Sequence, residues 1–214
     1  MTPTTSIPPH RRKGRPRTFD QDAALASALS VFWRRGFEPT SISELCGAMG
    51  ISPPSLYAAF GNKAQLFMEA VNHYEATYWD AIWERMAETA DVNEAVRTFF
   101  FESAQVLSSQ DTPCGCLVIL AATNVSAEAQ EVNAALKALR DEGKDRLTDR
   151  VRRGISDGQF PEATNAVGVG LTLNTLLEGM SLAARDGASR EELETIAASA
   201  SGLLPQTAWT SEPA

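Results

Sequence analysis

The chain has 214 residues, with 19 Lys and Arg against 27 Asp and Glu, two His, three Cys and a 43% apolar content. That length holds one domain, or a small one plus a medium one, and the apolar fraction is too high for a disordered chain. No stretch of about 18 uncharged apolar residues is present, which excludes a membrane span. The start, MTPTTSIPPHRRKGRPRTFD, has no apolar run for a signal peptide to use.

Three cysteines, two of them in Cys114-Gly115-Cys116, are too few for a disulfide framework. The expectation is a soluble protein of a reducing compartment, the cytoplasm. Two histidines and the Cys-x-Cys pair make a poor metal site, so no metal or cofactor is expected. The net charge of −8 divides unevenly: residues 1–63 carry eight basic and four acidic side chains, a net +4, and the remainder 11 and 23, a net −12. A basic head on an acidic body is one sign of a nucleic-acid-binding end, although a basic tail can also be merely solvated.

Residues 1–18, rich in Pro, Thr and Arg, read as a flexible basic arm. Leu25, Leu29, Phe32 and Trp33 then form the stripe of an amphipathic helix that ends at Gly36, with Asp20 or Asp22 at its start. Thr40 or Ser41 opens a second helix, with Ile42, Leu45, Cys46 and Met49 on one face and Gly50 at its end. Ser52-Pro53-Pro54 reads as an N-cap with prolines in the first turn of a third helix, which Gly61 stops. From Lys63 to about Glu88 nothing breaks a longer helix, and another covers Val92 to Leu107. A segment from Asp111 to Thr123 follows, then a charged helix from Ser126 to near Gly154. The last two helices run from about Ala163 to Arg185 and Ser189 to Leu203, before a loose tail. No period-two alternation supports a strand. The reading is all-α with about nine helices.

Residues 41–60 have the layout of a helix-turn-helix, in which the second helix enters the DNA major groove. Leu56 and Phe60 fall on the core side, while Pro54, Ser55, Tyr57 and Ala58 are left outward. The run KGRPRTFDQDAALASALSVFWRRGFEPTSISELCGAMGISPPSLYAAFGNKAQLF resembles the N-terminal domain of TetR/AcrR-type transcriptional regulators over residues 13–67. FW..G, TSI..L...MGIS and SLY..FG.K..LF occur in order at the family's spacing.

The resemblance implies a helix-turn-helix DNA-binding domain over 19–62. It also implies a helical ligand-binding and dimerisation domain over 63–204, with a tail from 205 to 214. It assigns Thr40 to a phosphate, or to an ordinary N-cap. Ser52, Pro54 and Ser55 belong at the base edges, Tyr57 and Lys63 at phosphates, and Arg15 and Arg17 in the minor groove. It further implies a homodimer on a palindromic operator of double-stranded DNA, most simply a repressor released by a small-molecule effector, with the helix from Lys63 as the lever.

For the effector, the best candidates are Tyr78, Trp79, Trp83, Phe100, Cys116, Leu120 and Asn174, a lining suited to an aromatic or otherwise hydrophobic molecule, with a purely structural core as the competing reading. Residues 167–184 are apolar nearly all round and must be buried on several sides, so Leu171, Thr175, Glu178 and Leu182 are expected at the dimer face, with a central helix inside one monomer as the competing reading. Two alternatives stay open: an electrophile or redox sensor through Cys114 and Cys116, and a helical ligand-binding protein without DNA binding. No nucleophile, base and orienting group occur together, so an enzyme is not expected.

Overall fold

The computed structural model describes residues 19–205, and every regular element among them is helical. The first three helices are α1 (Gln21–Arg35), α2 (Ile42–Met49) and α3 (Pro53–Phe60), each set by signals adjacent in the chain. The Asp20 carboxylate accepts from the amides of Asp22 and Ala23 at the start of α1. Ser41 and Glu44 form a capping box on α2. Gly50 ends α2 in the left-handed region, at φ 66 and ψ 27, where a residue with a Cβ would be strained; this turns the chain from α2 into α3. Leu29, Phe32 and Trp33 of α1, Leu45 and Met49 of α2, and Leu56 and Phe60 of α3 are all buried in one core.

Asn62 and Gln65 cap α4 (Lys63–Tyr78), which carries that core into the rest of the molecule. Phe67 meets Phe32 edge-on, with ring centroids 4.9 Å apart, and Trp33 meets Tyr74 in the same way at 4.6 Å. The unbroken helix expected from Lys63 to Glu88 is two helices, because α5 (Asp80–Glu88) begins after a bend at Trp79. Neither Gly nor Pro marks the bend. The buried indole of Trp79 donates to the Tyr74 hydroxyl at 2.7 Å, and placing a large ring with its N–H satisfied takes precedence over helix continuity.

Next come α6 (Val92–Leu107), the single turn α7 (Leu117–Leu120), α8 (Gln130–Ser156), α9 (Ala166–Arg185) and α10 (Arg190–Ala200), which make ten α-helices among the described residues rather than about nine. The expected segment from Asp111 to Thr123 is mostly loop around α7. Helices α8 and α9 approach closely at Gly170, where a Cβ would lie 2.7 Å from the Thr148 Cα. Arg150 is buried and donates to the carbonyls of Met86, Thr89 and Ala90, closing the C-terminal end of α5. By length and a mean hydropathy of 1.2, α9 alone among the described helices could cross a membrane. It instead buries Leu173, Leu177 and Met180 within the bundle and turns Leu171 and Leu182 outward, 46% and 53% exposed.

Candidate nucleic-acid interface and ligand cavity

The N-terminal end of α3 stands on the surface. Ser52 caps it, and the Ser52 and Ser55 hydroxyls lie 2.9 Å apart. Ser52, Pro54 and Ala58 are exposed and Ser55 is half-buried. Tyr57 is 49% exposed, large for an aromatic residue, while Leu56 and Phe60 on the opposite face are fully buried. The outward face is therefore small side chains plus one phenol, a surface that can approach a duplex closely but holds few groups for bidentate base contacts.

Lys63, in the first turn of α4, lies 4.5 Å from the centroid of the Phe37 ring and donates to the Glu38 carbonyl at 3.1 Å. Partial burial lowers its pKa, opposed by the charges of Glu38 and Glu44. One ammonium proton is engaged and two are left for an anion. Thr40 departs from its expected roles. It is 1% exposed, its hydroxyl donates to the Gly36 carbonyl at 2.7 Å, and the residue capping α2 is Ser41. A hydroxyl enclosed in this way closes the α1–α2 turn and presents nothing to a phosphate. Arg15 and Arg17 lie outside the described residues.

In the larger domain a cavity of about 260 Å³ opens between α4, α5, α7, α8 and α9. Trp79, Trp83, Cys116 and Asn174 line it, as expected; Tyr78, Phe100 and Leu120 do not. Tyr78 packs against Trp33 and Tyr74, and Phe100 is fully buried against Phe99. Leu120, on the far side of α7, borders a smaller cleft shared with Gly36 and Arg185. Helical spacing announces an apolar face without saying which neighbour covers it.

The walls are also less apolar than their aromatic residues imply, since Glu75, Asp80, Glu142, Glu178, Arg140 and Arg146 all contribute. Glu178, expected at the dimer face, instead accepts from Asn174 at 3.0 Å inside the bundle. Glu75 was missed altogether. Its signal was present, since Glu75, Trp79 and Trp83 follow one another at steps of four and so share a helical stripe. Burial, reinforced by Asp80, raises the Glu75 carboxyl to about 7 against the partial compensation of Arg146.

Cys116 is buried, 5% exposed, and burial pushes its thiol up to about 11. A thiol so placed is mostly protonated at neutral pH and a weaker nucleophile than a free one, which counts against Cys116 in the electrophile-sensor reading. Cys114 is exposed.

The cavity and the DNA-facing helices are physically joined at α7. Cys116, Val118 and Ile119 form cavity wall. On either side of them, the Gly115 carbonyl accepts from the Trp33 indole at 2.7 Å and the Ala121 carbonyl from the Phe37 amide at 2.8 Å. Arg185, at the end of α9, completes the joint by donating to the carbonyls of Trp33, Arg34 and Cys114.

Comparison with known proteins accounts for both halves. Residues 24–70 match the family described as bacterial regulatory proteins, tetR family, and residues 93–200 match the tetracyclin repressor-like C-terminal domain. The HTH-type transcriptional repressor ComR of Escherichia coli is 33% identical over 199 residues, 92% of this chain and 94% of ComR. BdcR, another HTH-type transcriptional repressor of E. coli, is 30% identical over 89% of this chain and 91% of its own. Among solved structures, a cysteine mutant of the TetR-family regulator CifR complexed with 26-base-pair operator DNA is 38% identical, with a TM-score of 0.86, and covers 90% of this chain and 100% of its own.

The chain belongs to the TetR family. It is a DNA-binding transcriptional regulator with an N-terminal helix-turn-helix and a helical C-terminal domain, and it is not an enzyme.

Proposed function

We propose that this TetR-family regulator is a cytoplasmic homodimeric repressor, held on a palindromic operator until a small molecule enters the cavity beneath α7. Each subunit presents the start of α3 to one major groove. Ser52, Pro54 and Ser55 pass close to base edges, and Tyr57 and Lys63 hold phosphates. Two half-sites one helical turn apart, about 34–36 Å, then require two readers at that separation. The dimer face is the outward side of α9 with α10, where Leu171, Thr175, Gly179, Ile196 and Leu203 border an open apolar groove. An exposed apolar strip on an ordered helix is the usual mark of a partner surface, and two-fold closure is the simplest assembly.

The observation that carries ligand release is the double attachment of α7, cavity wall on one side and anchor of α1 on the other. A ligand that moves α7 moves the base of the reading domain in the same step, which is the differential contact that linkage requires. The lever is thus α7 together with α4, rather than α4 alone.

The test is selection of bound sites from random double-stranded DNA by the purified protein, followed by titration of the selected site at two salt concentrations. A palindromic site bound far more tightly than random DNA, with a steep salt dependence, is the expected result. Absence of enrichment by a protein shown to be dimeric would refute the operator-binding role.

A further inference from the structure

We propose that the effector of this regulator is an organic cation, an ammonium group on an aromatic or apolar body, with Glu75 as its counter-ion and the Trp79 and Trp83 indoles as its walls. The inference rests on the reading of this cavity as the effector site and adds the charge of the ligand.

Four carboxylates and two guanidinium groups line the cavity. Three of the six are already engaged with other side chains, since Arg146 pairs with Glu142 and Glu178 accepts from Asn174. Arg140 is engaged as well, donating to the Val118 carbonyl at 2.8 Å. Just before α7 the facing titratable group is the Cys116 thiol, which burial keeps protonated at neutral pH. What remains is Glu75 on α4 and Asp80 at the start of α5. Neither has a cation within ion-pair distance among the described residues, although both help to form the wall. Asp80 is exposed to solvent; Glu75 is half-buried.

A neutral apolar ligand would cover Glu75 and strip its remaining water without replacing it, and an anion would add repulsion to that cost. A cation does the reverse, since it supplies the missing partner in a place shielded from solvent. The aromatic walls point the same way. Trp79 and Trp83 lie with ring centroids 6.5 Å apart at 35°, and the Arg146 guanidinium already sits 5.5 Å from the Trp83 centroid. An indole face attracts cations through its quadrupole. The protein's own cation there is carried by an exposed side chain that pairs with the exposed Glu142. Gly143, one turn of α8 away, also lines the cavity, and a Cβ there would touch the Trp83 ring at 3.4 Å.

The experiment uses the full-length dimer and three probes of similar size: benzyltrimethylammonium, 3-phenylpropan-1-ol and 3-phenylpropanoate. Binding is followed by calorimetry and by tryptophan fluorescence, and release is followed on the selected operator. The cation should bind at least about tenfold more tightly than the alcohol, the propanoate least of all, and only the cation should weaken as pH falls from 8 to 6 and Glu75 takes up its proton. Glu75→Gln should erase the preference for the cation, and Glu75→Asp, which keeps the charge, should retain it. Gly143→Leu, which fills the space beside Trp83, should block whatever binds there.

Equal binding of alcohol and cation, or a cation preference unmoved by Glu75→Gln, overturns the charge assignment. If that neutral binding is lost in Gly143→Leu, the cavity reading stands and only the charge assignment fails. Binding that ignores Gly143→Leu, or no binding by any probe, brings down the cavity reading and the cation with it.

Discussion

The two domains solve opposite problems with charge. The reading surface on α3 is almost free of it, with serines, prolines and a phenol facing outward and the cation of Lys63 set at its margin against Phe37 and Glu38. The cavity concentrates charge inside, with Glu75 held half-buried and out of reach of a cationic partner. A surface meant to slide against a polyanion benefits from small, neutral side chains that let the backbones approach, with phosphate contacts at the edge. A cavity meant to recognise one small molecule benefits from an unmet electrostatic need that the right ligand alone satisfies. Between them lies α7, which is neither charged nor large, and which touches both.

The largest effect should come from separating the subunits. Leu171→Glu with Leu182→Glu places two carboxylates on the exposed strip of α9 without disturbing its buried side. Light scattering should report monomers. Operator affinity should fall by roughly a hundredfold or more, because two linked half-site contacts become two independent ones. A variant that stays dimeric would move the interface away from α9.

Next in size is the joint. Trp33→Phe keeps the ring packed on Tyr74 and removes the indole N–H, which leaves the buried Gly115 carbonyl without its donor. The loss should be about 1–3 kcal/mol of stability. The sharper consequence is functional, in that the effector should still bind the cavity while its ability to release DNA is reduced. Unchanged coupling in a folded Trp33→Phe protein would mean that α4 transmits the signal without α7.

On the reading side the effects are smaller. Tyr57→Phe, removing only a hydroxyl from a side chain that makes no hydrogen bond among the described residues, should weaken all DNA sequences alike by about 1 kcal/mol. Lys63→Ala should lower the salt slope by about one unit. If either substitution changed which sequence is preferred rather than how tightly all are held, these residues would be base readers.

The same contrast explains what the sequence disclosed. The helix-turn-helix was legible almost residue by residue, because its signals are local. Asp20 starts α1, Ser52 starts α3, and Gly36, Gly50 and Gly61 stop the three helices at positive φ. The bend at Trp79 left no such mark, being caused by a hydrogen bond to Tyr74 that forms only once both rings are buried. Thr40 looked like a surface hydroxyl until Gly36 folded over it. Glu178 and the α9 leucines occupy one apolar-looking run, and only the packing of α8 decides that the glutamate turns inward and the leucines outward. Sites built from adjacent residues can be read in order, whereas a cavity between five helices depends on which faces meet.

Smallest in its effect on DNA binding, and the most direct probe of the charge stored in the cavity, is the dependence of stability on pH. Glu75 has a carboxyl raised from 4.5 to about 7 in the folded chain, so the folded state holds that proton more tightly than the unfolded state does. Stability from this group is therefore highest below its unfolded value, declines as pH rises through the window from 4.5 to about 7, and stays low above it. Glutamine has no proton to lose. Glu75→Gln should match the parent near pH 4 and become more stable by on the order of 2 kcal/mol at pH 8, a difference in which titrating groups remote from Glu75 cancel. Melting curves of the two proteins across that range measure it, and a gap of equal size at pH 4 and pH 8 would show that Glu75 is not held at a cost when ionised. Saturating benzyltrimethylammonium at pH 8 should stabilise the parent more than the glutamine variant, because in the parent it supplies the counter-charge that the fold omits.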